Sequence, residues 1–307
     1  MRSSISALAL GGVLLAVTGC SGDAASPGGG LRVVATTTQL GSIASEIGAD
    51  LIQLTVLLSP GAEAHDYEMT PAAAAAVEEA DLILRSGAGL ESWLDDALQT
   101  IGGAAIARDT SEGITLSAPP GTGDAANGEV DPHYWLSAPK AVQMVENVRD
   151  ALAKADPSNA PAFADRAAGL IDRLEAADAE IRALMAEIPE ERRGIVTNHD
   201  ALGYFIDEYG LRFVGSVFPS LDVAAEPSAA ELAELIETIR AEGVIAIFGE
   251  SAVSPELARA VAAETDAKVV DEPLYTDSLG PEGSGAETLD GMLRHNATVI
   301  HDALTGR

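Results

Sequence analysis

A long amphipathic segment near the middle of the chain, from about Asn159 to Glu187, constrains the fold more than any other feature. Its apolar residues recur at steps of three and four, which is the spacing of a single buried stripe along an α-helix. At a rise of 1.5 Å per residue such a helix would be about 43 Å long, and Pro189 ends it. We therefore predict one helix long enough to run the full height of a two-lobed protein. The predicted stripe comprises Phe163, Ala167, Leu170, Ile171, Leu174, Ala177, Ile181, Leu184 and Ile188.

Short β-rich runs alternate with helical patterns on both sides of this helix. The predicted strands lie at residues 31–36, 51–58, 81–85, 104–108, 194–197, 211–217, 244–248 and 268–270. Alternation of this kind is typical of parallel sheets with helices on their faces. We predict an α/β fold of two such lobes, residues 31–157 and 189–307, joined by the long helix within residues 158–188. Three polar residues directly precede helical patterns, and we predict them to be N-caps. They are Thr70, Ser137 and Ser228.

The first twenty residues have the order of an export signal, with a positive charge at Arg2, an apolar run over residues 7–17 and small residues before Cys20. The ending Val-Thr-Gly-Cys resembles a bacterial lipobox, which predicts removal of residues 1–19 and a lipid on Cys20. The alternative is an ordinary signal peptide that happens to contain a cysteine. Cys20 is the only cysteine, so no disulfide forms within the chain. Residues 20–30 are rich in Gly, Ser, Ala and Pro and are predicted to form a flexible tether.

The chain carries a formal net charge of −30 at pH 7. This charge argues against nucleic acid as a partner, because binding to phosphates requires positive side chains. The same charge raises the local concentration of cations, although surface carboxylates also keep an exported protein soluble, and the sequence leaves both interpretations open. No later apolar run is long enough to cross a bilayer, so we predict contact with the membrane only through the lipid.

Three of the five histidines lie far apart in sequence, each in a short polar loop between predicted elements. They are His65, His133 and His199, and a late loop, EPLYTDSLG, adds the carboxylate of Asp277. Residues scattered in this way do not form a local zinc finger. They indicate ligands that a large fold brings together around one transition metal ion. The histidines for which we predict only a structural role are His295 and His301, both in the terminal helical segment.

Seven ordered blocks of the sequence resemble the solute-binding lipoproteins of zinc and manganese ABC importers. The blocks are VVATTTQLGSIASEIG, LLSPGAEAHDYEMTP, ADLILRSGAGLESWL, DPHYWLSAP, TNHDALGYF, IFGESAVSP and EPLYTDSLG, and they extend over essentially all of the chain after the tether. The resemblance implies two α/β lobes joined by a long backbone helix, with one metal ion in the cleft between them. It maps the four ligands onto His65, His133, His199 and Asp277.

The resemblance also implies a function. Such a protein is anchored by lipid to the bacterial cell membrane, captures a metal ion outside the cytoplasm, and delivers it to a membrane permease that a cytoplasmic ATPase drives. It catalyses no reaction. Manganese members of the family tend to have Glu at the third ligand position, where this chain has His199. Three imidazoles and one carboxylate suit tetrahedral Zn²⁺, whereas manganese prefers oxygen, so we predict zinc, with manganese as the alternative.

One segment departs from the family pattern. Many zinc members have a long loop rich in His and Asp before the second ligand, whereas the acidic loop before His133 in this chain contains no histidine. We predict that this loop, residues 117–131, is a mobile linker and not a collector of metal.

Other residues near the predicted ligands have more than one interpretation. Glu250 follows an apolar strand, so it either holds a ligand imidazole from behind or caps the next segment. Asp66 and Asp131 are weaker candidates for the same supporting role. Trp93 and Trp135 are predicted to serve packing, and Trp135, two residues after a predicted ligand, to report on metal binding. The carboxylates that could be mistaken for Asp277 are Asp271 and Glu272.

Three other functions fit parts of the sequence. A secreted zinc hydrolase would need Asp277 as its general base, leaving three histidines and a water on the metal, but the chain has no HExxH motif. An adhesin-like surface lipoprotein would hold the metal only as a structural element. Measuring whether metal is transferred to a permease would distinguish it from an importer component. A receptor for a chelated metal or a vitamin would share the two lobes but would not need three converging histidines.

Overall fold

The computed structural model describes residues 30–101, 106–120, 130–219 and 226–307. The predicted signal peptide, Cys20 and nearly all of the predicted tether lie outside the described residues, and so do residues 121–129 of the predicted mobile loop. What the sequence indicates about these segments therefore stays a prediction. Within the described residues, no helix is both long enough and apolar enough to cross a membrane.

The first half of the chain forms a parallel four-stranded sheet with helices beside it. Its strands, in the spatial order β2-β1-β3-β4, are β1 (Leu31–Ala35), β2 (Ile52–Val56), β3 (Leu82–Arg85) and β4 (Ile106–Asp109). Its helices are α1 (Thr38–Gly48), α2 (Pro71–Glu79), α3 (Ser92–Ile101) and α4 (Ala138–Ala155). The apolar runs at residues 33–35 and 82–84 are fully buried, as expected for central strands that helices cover on both faces.

The long helix, α5, spans Ala160–Glu187, within one residue of the predicted bounds. Its apolar stripe faces inward as predicted, except that Ile171 and Leu184 are only partly buried and Met185 is buried in addition. Helix α5 packs against α4 of the first half and against the last helix, α9 (Leu289–Thr305), of the second half. It therefore joins the two halves along its length.

The second half of the chain repeats the arrangement. Its strands, all parallel and in the spatial order β6-β5-β7-β8, are β5 (Gly194–Thr197), β6 (Arg212–Ser216), β7 (Ala246–Glu250) and β8 (Lys268–Leu274). Its helices before α9 are α6 (Gly203–Tyr209), α7 (Ala229–Glu242) and α8 (Glu256–Ala263). The predicted α/β fold of two lobes is confirmed. The lobe boundaries at residues 157 and 188 stay predictions. One continuous apolar core extends across both, because it includes Leu84 of the first sheet, Leu174 of α5 and Phe248 of the second sheet.

Strand β8 continues four residues beyond its predicted end, to Leu274. The polar run Asp-Glu-Pro at residues 271–273 hides this part of the strand in the sequence. Because β8 lies at the edge of its sheet, a proline is tolerated there, and Leu274 still pairs with Glu250 of β7. The extension leads the chain directly into the loop that contains Asp277.

Two of the three predicted N-caps are confirmed, because the side chains of Thr70 and Ser228 accept N–H groups of their own helices. Ser137 also occupies the N-cap position of its helix, as predicted, but its side chain does not cap the helix. Its hydroxyl donates instead to Oε2 of Glu208 in the second lobe, at 2.9 Å. Pro139 near the start of α4 has no N–H to offer a cap, and the carboxylate of Glu208 takes the hydroxyl.

Candidate metal centre

The second lobe presents polar side chains where its strands end. His199 lies two residues after β5, Asp277 lies three residues after β8, and Glu250 is the last residue of β7. In an open parallel sheet, ligands bind in the crevice outside the carboxyl ends of the strands. The fold therefore places these three side chains at the edge of the sheet that faces the first lobe.

The first lobe contributes its two histidines from loops. His65 lies in the loop after β2, and His133 directly precedes a 3₁₀ turn, Tyr134–Leu136, that leads into α4. Trp135 in this turn is fully buried, its indole N–H donates to the carbonyl of Thr276 at 2.9 Å, and its ring lies edge-on to the ring of His133. The predicted packing role of Trp135 is thus accompanied by a hydrogen bond to the loop of Asp277.

The structure brings His65, His133 and Asp277 together, with one nitrogen or oxygen atom of each within 4.8 Å of the others. Nε2 of His65 lies 3.3 Å from Nε2 of His133, which in turn lies 3.0 Å from Oδ1 of Asp277. His199 reaches this group through the second carboxylate oxygen, with its Nε2 3.5 Å from Oδ2 of Asp277. Asp277 therefore stands between the two histidines of the first lobe and the histidine of the second.

Most of the group is inaccessible to solvent. His133, His199 and Asp277 are at most 2% exposed, whereas His65 is only partly buried. His65 is therefore the member that borders solvent, and a small ion would reach the others from its side.

Asp131 orients the imidazole of His133. Its Oδ1 accepts the backbone N–H of His133 at 2.9 Å and lies 2.7 Å from the ring Nδ1. Because a carboxylate only accepts hydrogen bonds, Nδ1 carries the proton. Nε2 is then directed at His65 and Asp277. Asp131, a weak candidate from the sequence, therefore has the contact that supports an imidazole from behind.

Glu250 lies behind His199 in a similar position. Its Oε2 lies 2.6 Å from the ring Nδ1, and its Oε1 accepts the backbone N–H of His199 at 2.9 Å. The hydroxyl of Thr276 donates to the same Oε2 at 2.7 Å. The segment after β7, by contrast, is held by the backbone of Glu250 and not by its carboxylate. The backbone carbonyl of Glu250 accepts the N–H of Val253. Among the described residues, neither ring nitrogen of His199 has a partner in hydrogen-bond geometry, so the close approach of Nδ1 to Glu250 is an ion-pair contact.

The buried carboxylates set the protonation of these groups. Burial lowers the pKa of His133, but the charges of Asp131 and Asp277 outweigh it and raise the pKa to about 10. The pKa of His199 is likewise lowered by burial and raised by Glu250 and Asp277, to about 9. Burial acts to raise the pKa of Asp277, but the two histidines hold it well below its usual range. In the metal-free protein at neutral pH, the rings of His133 and His199 are therefore positively charged. A metal ion must displace one proton from each ring before it can bind there.

The loop of His65 has a support that the sequence did not reveal. Glu63 accepts the backbone N–H of His65 at 3.0 Å and that of Asp66 at 2.9 Å, and burial raises its pKa. Asp66 itself is exposed and joins the loop through its backbone. The indole of Trp93 donates to the carbonyl of Ala64 at 3.1 Å. An acidic side chain two residues before a loop histidine was the available signal, because such side chains bond nearby backbone N–H groups.

Asp200 is a second carboxylate that sequence reasoning missed. It follows His199 and is 5% exposed. Burial, aided by the negative charge of Asp131, raises its pKa to about 7. Nothing in the sequence marks it beyond its position, because its burial arises from the packing of the lobes.

The remaining histidines lie elsewhere, as predicted. His295 donates to the carbonyl of Pro273 at 3.0 Å. The ring of His301 lies between the carboxylates of Glu187 and Asp302. The two carboxylates that could be mistaken for Asp277 are on β8 with exposed side chains, Asp271 and Glu272.

Comparison with known proteins places this geometry in a family. The family described as the periplasmic component A of the zinc-uptake complex matches residues 33–303. The chain is 33% identical to the manganese-binding lipoprotein MntA of Bacillus subtilis, over 94% of this chain and 95% of that protein. It is 31% identical to the zinc-binding protein TroA of Treponema pallidum, over 92% of each.

Solved structures agree with the sequence relatives. The periplasmic zinc-binding protein TroA from Treponema pallidum superposes with a TM-score of 0.83 at 29% identity, covering 90% of this chain and 99% of that one. A manganese-bound periplasmic metal-binding protein from Candidatus Liberibacter asiaticus gives a TM-score of 0.78 at 28% identity, covering 89% and 98%. The resemblance inferred from the seven sequence blocks is confirmed. The chain belongs to the family of periplasmic zinc-uptake components, which are solute-binding receptors of zinc and manganese ABC importers and not enzymes.

Proposed function

We propose that this protein is the zinc receptor of an ABC importer. It holds one Zn²⁺ with His65, His133, His199 and Asp277 and delivers the ion to a membrane permease driven by a cytoplasmic ATPase. The observation that carries the proposal is the mostly buried group of His65, His133 and Asp277, which the imidazole of His199 joins from the second lobe through Asp277.

The spacing of these atoms is that of ligands around a single small metal ion. Zinc bonds of about 2.0–2.2 Å separate neighbouring ligand atoms of a tetrahedron by about 3.3–3.6 Å. Nε2 of His65 and Nε2 of His133 are 3.3 Å apart, which falls in this range. The two oxygens of Asp277 lie 3.0 Å from Nε2 of His133 and 3.5 Å from Nε2 of His199. The buried Nε2 of His199, which has no hydrogen-bond partner among the described residues, would be satisfied by coordinating the cation.

The donor types favour zinc over manganese. Three imidazole nitrogens and one carboxylate oxygen suit Zn²⁺, whereas manganese prefers a site dominated by oxygen. Manganese is the second candidate, because the chain is similar to manganese-binding lipoproteins as well as to zinc-binding proteins. An octahedral ion would fit similar spacings, so the choice of zinc rests on the donors.

The same set of ligands argues against hydrolysis. A catalytic zinc keeps a position for water beside three protein ligands. Here a fourth protein ligand, Asp277, lies among the histidines, and its pKa well below the usual range suits a ligand that stays ionised. Four protein ligands would leave a tetrahedral ion with no position for a substrate.

Attachment to the membrane belongs to the same proposal. The signal sequence ending at Cys20 predicts a lipid anchor that holds the two lobes outside the cytoplasm. The names of relatives such as the manganese-binding lipoprotein MntA and the zinc-binding lipoprotein AdcA support this placement.

Metal content and competition test the proposal. Native mass spectrometry with elemental analysis of protein produced without added metal should show one zinc per chain. Competition against a chromogenic chelator should end at one Zn²⁺ per chain, with Mn²⁺ bound much more weakly. Tighter binding of Mn²⁺ than of Zn²⁺ at equal free concentrations would overturn the assignment of the metal.

A further inference from the structure

We infer that Thr276 is a positioning residue that ties Asp277 to the His199–Glu250 pair. This inference rests on the proposed function, because it concerns how two of the proposed ligands are held relative to each other. Thr276 is 1% exposed, and it precedes Asp277 in the loop after β8.

The hydroxyl of Thr276 points into the second lobe. It donates to Oε2 of Glu250 at 2.7 Å, and the same oxygen lies 2.6 Å from Nδ1 of His199. The other oxygen of Glu250 accepts the backbone N–H of His199 at 2.9 Å. Without the hydroxyl, this buried carboxylate would lose one of its donors and a constraint on its orientation.

The carbonyl of Thr276 points into the first lobe. It accepts the side-chain N–H of Gln39 at 3.1 Å and the indole N–H of Trp135 at 2.9 Å, and both donors are fully buried. Trp135 lies two residues after His133. The peptide unit that joins Thr276 to Asp277 is therefore fixed against the first lobe, beside His133.

Thr276 thus contacts both halves of the site through different atoms. Its carbonyl sets the position of the Asp277 loop relative to His133, and its hydroxyl sets the carboxylate that orients His199. Partners that orient metal ligands affect metal affinity by about 10- to 100-fold. Because Thr276 acts through Glu250 and through the backbone, we expect an effect near the lower end of this range.

The first lobe contains a matched control. Thr36 is also fully buried, and its hydroxyl also donates to a buried carboxylate, Oε1 of Glu91, at 2.7 Å. Glu91 otherwise accepts the backbone N–H groups of Ser86 and Gly87. Neither Thr36 nor Glu91 is in contact with a proposed ligand in these hydrogen bonds.

The test compares Thr276→Val, Thr276→Ser and Thr36→Val in the full-length protein, with Zn²⁺ affinity from chelator competition as the main measurement. Thr276→Val keeps the shape of the side chain without the hydroxyl and should weaken binding about tenfold. Thr276→Ser restores the hydroxyl and should bind within about twofold of the parent. Thr36→Val should lower the melting temperature of the metal-free protein and leave zinc affinity unchanged.

A spectroscopic readout separates positioning from general destabilisation. The visible absorption of the Co²⁺-loaded protein reports the coordination geometry, and it should change in Thr276→Val but not in Thr276→Ser or Thr36→Val. If Thr276→Val fails to fold, Gln39→Met provides a second test. It removes a donor to the carbonyl of Thr276 and should also weaken zinc binding.

Three results would overturn the inference. They are parental affinity in Thr276→Val, equal weakening in Thr276→Ser, and equal weakening in Thr36→Val. Failure of the proposed function is recognised separately, because the parent protein would then hold no zinc or would prefer Mn²⁺. In the second case the same series is measured with Mn²⁺, since the contacts of Thr276 do not depend on which ion binds.

Discussion

Each lobe contains a buried glutamate that binds near the carboxyl end of its third strand, but the two carboxylates have different partners. Glu250 is the last residue of β7, whereas Glu91 lies six residues after β3. In the first lobe, Glu91 accepts the backbone N–H groups of Ser86 and Gly87, at 2.6 and 2.9 Å, and the hydroxyl of Thr36 at 2.7 Å. In the second lobe, Glu250 accepts a threonine hydroxyl and lies against an imidazole. Glu91 therefore fixes a turn of its own lobe, whereas Glu250 fixes a side chain that faces the cleft.

This difference arises on a common framework. The two sheets have the same strand order, β2-β1-β3-β4 and β6-β5-β7-β8, so in both lobes the residues that follow the first and third strands meet at one edge. After β1 the residue beside the glutamate is Thr36, and after β5 it is His199. Topology brings polar groups together at this edge in both lobes. In the first lobe they form a structural contact, and in the second they include a proposed metal ligand.

The largest expected effect concerns pH. In the metal-free protein, Asp131 and Asp277 raise the pKa of His133 to about 10, and Glu250 and Asp277 raise that of His199 to about 9, each against the lowering effect of burial. Zinc binds neutral imidazoles, so at pH 7.5 it must displace a proton from each. Affinity should then rise by about 100-fold per pH unit up to about pH 9, whereas an ordinary histidine pKa of about 6.5 predicts a plateau above that value.

Titration calorimetry in buffers of different ionisation enthalpy checks this expectation by counting protons. The parent should release about two protons per zinc at pH 7.5. Glu250→Gln should release about one proton per zinc, because His199 loses the carboxylate that raises its pKa most. No proton release from the parent would show that the carboxylates do not hold the imidazoles charged.

The next effect distinguishes a ligand from a structural histidine. His199→Ala removes a proposed ligand and should weaken zinc binding by more than the 10- to 100-fold that loss of a supporting partner costs. His295→Ala removes a side chain that contacts Pro273, Tyr275 and Glu272 but none of the proposed ligands in these contacts, and it should leave affinity unchanged. Chelator competition at pH 7.5 measures both, and equal effects from the two variants would remove the basis for the site.

A smaller effect tests the comparison of the two glutamates directly. Glu250→Gln should lower zinc affinity by about 10- to 100-fold. Glu91→Gln replaces a carboxylate that accepts three hydrogen bonds and should lower the free energy of unfolding by about 1–3 kcal/mol, with unchanged zinc affinity. Denaturant unfolding of the metal-free variants and chelator competition measure the two properties. The comparison between the lobes fails if Glu91→Gln weakens zinc binding as much as Glu250→Gln does.

Local patterns predicted much of this fold. The stripe of α5 repeats over 28 residues, so its length and bounds were visible without any tertiary information. The four residues His65, His133, His199 and Asp277 were identified because each lies in a polar loop that matches a family motif. The structure brings His65, His133 and Asp277 together, and His199 joins them through the second oxygen of Asp277.

What the sequence hid depends on contacts between distant segments. The continuation of β8 through a proline is possible only because β8 is an edge strand. Ser137 has the residue type of an N-cap, yet a glutamate from the other lobe takes its hydroxyl. The contacts of Thr276 with Gln39, Trp135 and Glu250 join segments that meet only after folding, so the sequence did not indicate its role.

The smallest expected effect on zinc binding comes from the region outside both lobes. Cys20→Ser removes the thiol to which the predicted lipid is attached, so the full-length protein should no longer partition with membranes. Zinc affinity should equal that of the parent, because a predicted flexible tether separates Cys20 from the lobes and the proposed ligands are contributed by the lobes alone. Membrane fractionation and chelator competition on the same preparations measure the two properties. A loss of zinc affinity in Cys20→Ser would make the thiol a ligand, and unchanged partitioning would mean that the signal sequence is an ordinary one in which the cysteine occurs by chance.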